Sequence, residues 1–143
     1  MEVKPIPDGY NSITPYVIVK DVSKLIAFLK EAFDAELIFS SNKDGKISHA
    51  DLLIGNSHLM LGEANEEWKS QPTMLYLYVE NTDEVFNKAL KAGGVSIMQP
   101  EDKFYGDRNG ILKDPSGNSW CIATHVEDVS PEELENREKE QKN

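Results

Sequence analysis

Residues whose types could do chemistry gather in the stretch from Phe104 to His125. Tyr105, Asp107 and Arg108 open it, and Cys121 and His125 lie beyond an apolar run and a polar turn. Elsewhere His49 and Glu63 add an imidazole and a carboxylate. Glu63 and His125 fall at equivalent places in two copies of one pattern, just past the ends of strand-like runs, which makes them candidates for an acid–base pair. His49, Glu63 and His125 together are a candidate set of two histidines and a carboxylate for a metal. The plainer alternative is that the strand-end groups are solvated and that His49 and Asp51 satisfy each other or the backbone. Arg108 can anchor an anionic group through its planar fork, or pair with Asp107 or Asp114 and fix the turn. Cys121 has no cation in its immediate sequence to lower its pKa, so it is a poor nucleophile.

The elements that must hold these residues form a repeat. Gly55-Asn56-Ser57-His58-Leu59-Met60-Leu61 parallels Gly117-Asn118-Ser119-Trp120-Cys121-Ile122-Ala123, and Tyr16-Val17-Ile18-Val19-Lys20-Asp21 parallels Tyr76-Leu77-Tyr78-Val79-Glu80-Asn81. The offset of roughly sixty residues marks two tandem units. In the first, a strand over 13–20 leads to a helix capped by Asp21 or Ser23 and running to about Phe33. Strands over 36–40, 47–54 and 58–62 follow, separated by Asn42-Lys43-Asp44-Gly45 and Gly55-Asn56-Ser57. Residues 63–72 are polar and aperiodic, and read as a linker.

The second unit repeats the order: a strand over 75–79, a helix over 82–91 closed by Gly93-Gly94, a strand over 95–98, and a hairpin. That hairpin has strands at 111–112 and 120–123 around a turn at Asp114 to Asn118. Asn109-Gly110 is an alternative turn, less favoured because the other matches the turn of the first unit. Ser130-Pro131-Glu132-Glu133 starts a charged helix to about Gln141, which Leu134 alone would attach loosely. The lead-in through Ser12 is rich in Pro and Gly and carries no period.

At 143 residues and 39% hydrophobic content, the chain is one domain's worth of core. A net charge of −10 with no basic cluster argues against nucleic acid. Part of that acidity is the tail from Glu127, a solvated segment. A single cysteine forms no internal disulfide, the N-terminus lacks a signal peptide's apolar core, and no apolar run approaches a membrane span. The expectation is a cytoplasmic protein with no membrane partner.

Five motifs taken together resemble the vicinal oxygen chelate superfamily, the fold of glyoxalase I, bleomycin resistance proteins and extradiol dioxygenases, and within it the PhnB-like branch. They are Thr14-Pro15-Tyr16, Ile47-Ser48-His49-Ala50-Asp51, Phe104-Tyr105-Gly106-Asp107-Arg108, Asp114-Pro115-Ser116-Gly117-Asn118-Ser119-Trp120, and the segment Ala123 to Glu133. The resemblance implies an α+β fold of two tandem βαβββ modules, about 12–63 and 73–125, forming one cup-shaped curved sheet in a single domain over 1–129, with 130–143 as a helical tail. It also implies a homodimer.

In metal-dependent members of that superfamily, the first and last strand of each module supply His and Glu to a divalent ion that chelates two substrate oxygens. The corresponding positions here are Thr14, Leu59 (or Met60 if the register slips by one), Met74 and Cys121, which do not suit such an ion. No metal or other cofactor is therefore expected. The cup would be lined by Thr14, Tyr16, Ile18, Leu59, Leu61, Met74, Tyr76, Tyr78, Cys121 and Ala123, with Tyr105 and Arg108 at its edge. Such a lining suits an apolar or aromatic small molecule. The competing expectation is a metal-dependent lyase, isomerase or dioxygenase with displaced ligands His49, Glu63 and His125. Whether the chain is an enzyme stays open at this point.

Overall fold

The computed structural model describes residues 2–141. It divides into two compact units, Met1–Thr73 and Met74–Asn143. Each holds one four-stranded sheet, and three helices complete an α+β fold in which neither sheet closes into a barrel.

In the first unit the order is β1 (Tyr16–Val19), α1 (Val22–Phe33), β2 (Glu36–Lys43), β3 (Lys46–Ile54) and β4 (Ser57–Glu63), and the sheet runs β1-β4-β3-β2. Alternation along the strands sends Val17, Val19, Ala50, Leu52, Ile54, Leu59 and Leu61 to one face, where all are buried with the α1 side chains Leu25, Phe28, Leu29 and Ala32. The helix begins where Asp21 Oδ1 accepts from the N–H of Lys24 and ends at Asp34 in the left-handed region, with the Ala35 N–H returning to Leu29 O.

The second unit repeats this with β5 (Met74–Tyr78), α2 (Thr82–Lys91), β6 (Val95–Asp102), β7 (Asp107–Lys113) and β8 (Ser119–His125), ordered β5-β8-β7-β6. Phe86 and Ala89 of α2 pack over Leu112, Trp120 and Ile122, all buried. Asp114 holds the β7–β8 turn. Its carboxylate accepts from the N–H groups of Ser116 and Asn118 and, at 2.8 Å, from Trp120 Nε1.

Three expectations need correction. Asn109 and Gly110 lie inside β7, which starts four residues before Ile111, at Asp107. A Cβ on Gly110 would sit 2.9 Å from Pro100 N and 3.0 Å from the Phe86 ring, so β6 and α2 press on that point and leave no room for a turn.

The second correction is one of register. Tyr16 pairs with Met60 on β4, and Tyr76 pairs with Cys121 on β8, so Met60 and not Leu59 is the counterpart of Cys121. Shared Gly-Asn-Ser letters suggest otherwise. The loop joining the paired residues Leu53 and His58 is one residue shorter than the loop joining Lys113 and Ser119, and this moves the structural equivalence by one place. Leu59 and Leu61 consequently face α1 and do not line the opposite face.

The third concerns the tail. The helix α3 (Pro131–Gln141) buries no residue, yet Arg137 ties it down by donating to Phe104 O at 3.0 Å and to both carboxylate oxygens of Glu127 at 2.8 and 3.0 Å.

Candidate functional site

Each sheet has a second face, turned away from its helix. In the second unit that face carries Met74, Tyr76 and Tyr78 from β5, Cys121, Ala123 and His125 from β8, and Asp107, Asn109 and Ile111 from β7. The pairings Asp107 with His125, Asn109 with Ala123, and Ile111 with Cys121 fix their order.

A buried carboxylate organises it. Asp107, 4% exposed, accepts at Oδ2 from the hydroxyls of Tyr76 (2.5 Å) and Tyr78 (2.8 Å), while Oδ1 lies 2.9 Å from His125 Nδ1. The other nitrogen of His125 lies 2.7 Å from Asp128 Oδ1. Asn109 Nδ2 donates to the hydroxyl oxygens of Tyr76 and Tyr105 at 3.1 and 2.7 Å. Because the Tyr76 proton goes to Asp107, its oxygen must accept from Asn109, which fixes the amide orientation. Asn109 Oδ1 is then the buried side-chain polar atom left without a hydrogen-bond partner among the described residues.

These contacts set the protonation states. Burial alone would raise the Asp107 carboxyl, but the hydrogen bonds from Tyr76, His125 and Tyr78 outweigh it and hold the group below its ordinary value. Burial and the bond to Asp107 push the Tyr76 phenol well up, and the bond to Asp107 raises that of Tyr78. Asp107, then Asp128, raises His125. Burial raises the Cys121 thiol. On this face the phenols and the thiol are thus shifted toward their protonated forms, Asp107 toward its charged form, and His125 is engaged at both nitrogens. Beside it lies a hollow of about 420 Å³ lined by Met74, Tyr76, Met98, Tyr105, Asn109 and Cys121 among others. Gln141 of α3 also reaches it.

Arg108 points elsewhere. Its Nε and Nη2 grip both carboxylate oxygens of Asp83 at 2.8 Å, and Nη1 reaches Asp102 at 3.3 Å. The guanidinium is thus engaged with the start of α2 and the end of β6, and not with Asp107 or Asp114.

On the open face of the first unit, Tyr16 lies flat over Gly62, where an added Cβ would come within 2.7 Å of the ring. Its hydroxyl is 3.1 Å from His49 Nδ1. His49 accordingly turns to Tyr16 and not to Asp51. Asp51, 3% exposed, instead accepts from the Tyr10 hydroxyl and lies 2.9 Å from His58 Nδ1, with Tyr10 stacked on the His58 ring at 3.8 Å. The aperiodic lead-in is thereby pinned to the sheet.

Glu63 is a helix cap. Its two oxygens accept from the N–H groups of Asp21 and Val22 at 2.8 and 3.0 Å, at the start of α1. Thr124 does the same work in the second unit, accepting from the Thr82 N–H at 3.0 Å. Glu63 therefore corresponds to Thr124, and its expected counterpart His125 lies one place further on.

Sequence reasoning passed over Tyr10, His58 and Trp68. Trp68 stands 62% exposed in the supposed linker and lines a hollow of about 850 Å³ with Tyr16, Ile18, Ile47, Lys43 and Lys46. A large aromatic in a polar stretch was the one available signal.

The model of the glyoxalase/bleomycin resistance protein/dioxygenase superfamily matches residues 9–122. The chain belongs to that superfamily. An uncharacterized protein of Mycobacterium bovis is 32% identical over 136 residues, covering 87% of this chain and 90% of its own. An uncharacterized protein of Mycobacterium tuberculosis is equally similar, with 80% of its length covered. Among solved structures, TioX from Micromonospora sp. ML1 superposes with a TM-score of 0.72 at 22% identity, covering 81% of this chain and 99% of TioX. A family enzyme from Burkholderia phytofirmans PsJN gives 0.68 at 19% identity, covering 79% and 97%. At those identities the likeness is one of fold.

The divalent ion that membership implies does not fit the residues at its expected positions. The first unit offers Thr14 and Met60 there, and the second Met74 and Cys121, a hydroxyl and three sulfurs where a hard or borderline ion takes imidazole and carboxylate. Among the described residues, no three His, Cys, Asp or Glu side chains group to hold a metal. Of the displaced candidates, Glu63 is engaged at both oxygens, His125 at both nitrogens, and His49 at Nδ1.

Proposed function

We propose that this chain is a metal-independent small-molecule-binding member of the superfamily, of the PhnB-like, bleomycin-resistance-like type, holding an apolar or aromatic ligand against the open faces of its sheets. One observation carries the reading. The faces present large aromatic side chains to solvent, Tyr16, Tyr76 and Tyr78 all being exposed, while Asp107 and His125 among them are hydrogen-bonded to their neighbours. The alternative, a metal-dependent lyase, isomerase or dioxygenase using His49, Glu63 and His125, has less support because Glu63 caps α1.

The test measures metal and ligand on one preparation. Protein stripped with chelator, incubated with Zn²⁺, Ni²⁺, Mn²⁺, Fe²⁺ or Cu⁺ and desalted should retain well under one equivalent. Planar bicyclic aromatic compounds should raise its melting temperature in a saturable way. Stoichiometric metal lost on combined substitution of His49, Glu63 and His125, with no stabilisation by any aromatic compound, would overturn the proposal.

Two further expectations belong to the same reading. A homodimer would cover part of the exposed apolar surface of the sheets, and sedimentation velocity would detect it. The single cysteine, buried and free, suits a reducing cytoplasm. No helix among the described residues is long and apolar enough to cross a membrane.

A further inference from the structure

Resting on that reading, we infer that the hollow of the first unit takes a planar aromatic anion, its ring against Trp68 and Tyr16 and its carboxylate at Lys43 and Lys46.

Trp68 is held out of the core by a loop that is closed on itself. Asn65 Oδ1 accepts from the N–H groups of Glu67 and Trp68 at 2.9 and 2.7 Å, and the Asn65 N–H donates to Trp68 O at 2.9 Å. The root of this loop is fixed by the Ala64 N–H on Val19 O at 2.8 Å. An ordered loop presenting an exposed indole loses little entropy when a ligand stacks on it. Tyr16, Ile18 and Ile47 supply the remaining apolar wall, and about 850 Å³ accommodates a bicyclic ring system.

The charge of the ligand follows from the lysines. Lys43 and Lys46 are direct cross-strand partners at the end of the β2–β3 hairpin. Like charges in that position repel. Neither is in an ion pair among the described residues, although acidic residues outnumber basic ones by 25 to 15 in this chain. Of the two carboxylates in the lining, Glu63 is turned onto the α1 N-terminus, and Asp44 sits in the turn between the lysines without bonding to either. Two unpaired cations at the mouth of an aromatic-walled hollow fit a ligand that brings its own anion.

The probes are 2-naphthoate, its neutral amide 2-naphthamide, and the cation 2-naphthylmethylamine, titrated by calorimetry and by ¹⁵N-resolved NMR of the two indole N–H signals. The naphthoate should bind about tenfold tighter than the amide and should beat the amine by more. It should move the Trp68 signal and leave that of buried Trp120 in place. In a Lys43→Gln, Lys46→Gln double variant the preference for the carboxylate should fall below about threefold while the amide binds as before.

Equal affinity for naphthoate and amide would overturn the anion and leave aromatic binding intact. Binding of none of the three, or binding that leaves the Trp68 signal unmoved, would remove the ligand from this hollow. A Trp68 signal that shifts with protein concentration alone, together with dimerisation abolished by Trp68→Ala, would assign the face to a second copy of the chain and overturn the proposal.

Discussion

Asp107 and His125 stand directly opposite each other on adjacent antiparallel strands, with Nδ1 of the histidine 2.9 Å from the carboxylate, and the same carboxylate holds the hydroxyls of Tyr76 and Tyr78. A buried acid thus determines how three side chains of the open face are oriented. Asp107→Asn keeps the shape and removes the charge. It should lower the unfolding free energy by roughly 1–3 kcal/mol, because charged acceptors are the stronger ones and all three donors lose theirs. Denaturant titration would read the change.

The same pair predicts a pH profile. The His125 pKa is raised above its ordinary 6.5 by Asp107 and then Asp128. At pH values below that ordinary figure the ring is protonated in both folded and unfolded chains, so its contribution to stability is complete. As pH rises through the elevated native value the proton leaves and the contribution disappears. Asp107, with a lowered pKa, behaves oppositely. Its contribution is complete above the ordinary 3.8 and is lost as pH falls through the native value. Stability measured between about pH 6 and pH 9 should therefore decline more steeply for the natural chain than for His125→Gln. Parallel profiles would refute the assignment.

Glu63 acts on α1, and its removal should show as lost stability. Glu63→Ala leaves the N–H groups of Asp21 and Val22 without their acceptor and should cost about 1–2 kcal/mol. Metal content should stay as in the natural chain, which metal analysis on both proteins would check. A fall in metal content would return Glu63 to the role of ligand.

Gly106 is the position least tolerant of a side chain. Its φ of +102° lies in the region that favours glycine, and a Cβ would come within 2.2 Å of Glu127 O. Gly106→Ala should destabilise by roughly 2–4 kcal/mol. It should also displace the 126–127 segment that follows β8 and carries the Glu127 partner of Arg137, so limited proteolysis should release α3 earlier than in the natural chain.

Cys121 is 3% exposed, and burial raises its thiol pKa. A thiol-reactive disulfide should label the native protein at least about a hundredfold more slowly than the unfolded chain, since only opened molecules present the thiolate. Fast native labelling would mean that this face opens on its own.

Most of the chain's secondary structure was legible because it is written in local signals. The period-two runs, the caps at Asp21 and Ser130, and the glycines after α2 each act over a few residues, and the helices lie at or near the expected places. The two-unit plan was legible for the same reason, since each copy repeats the local pattern. Register was not. Matching Gly55-Asn56-Ser57 with Gly117-Asn118-Ser119 aligns letters, whereas strand pairing is decided by hairpin loops of different length, and a slip of one place exchanges the faces of Leu59 and Met60.

Periodicity and the internal repeat determined a two-unit α+β plan, and the motifs its likeness to the glyoxalase superfamily; that Met60 rather than Leu59 stands opposite Tyr16 came only with the strand pairing. Tertiary structure alone decided which groups meet. Glu63 meets the α1 N-terminus 42 and 41 residues back, Arg108 meets Asp83 across 25, Tyr10 meets Asp51 across 41, and Arg137 meets Phe104 across 33. Hydrogen bonds and ion pairs need atoms within about 3 Å of each other, and over such separations only the folded backbone sets that distance.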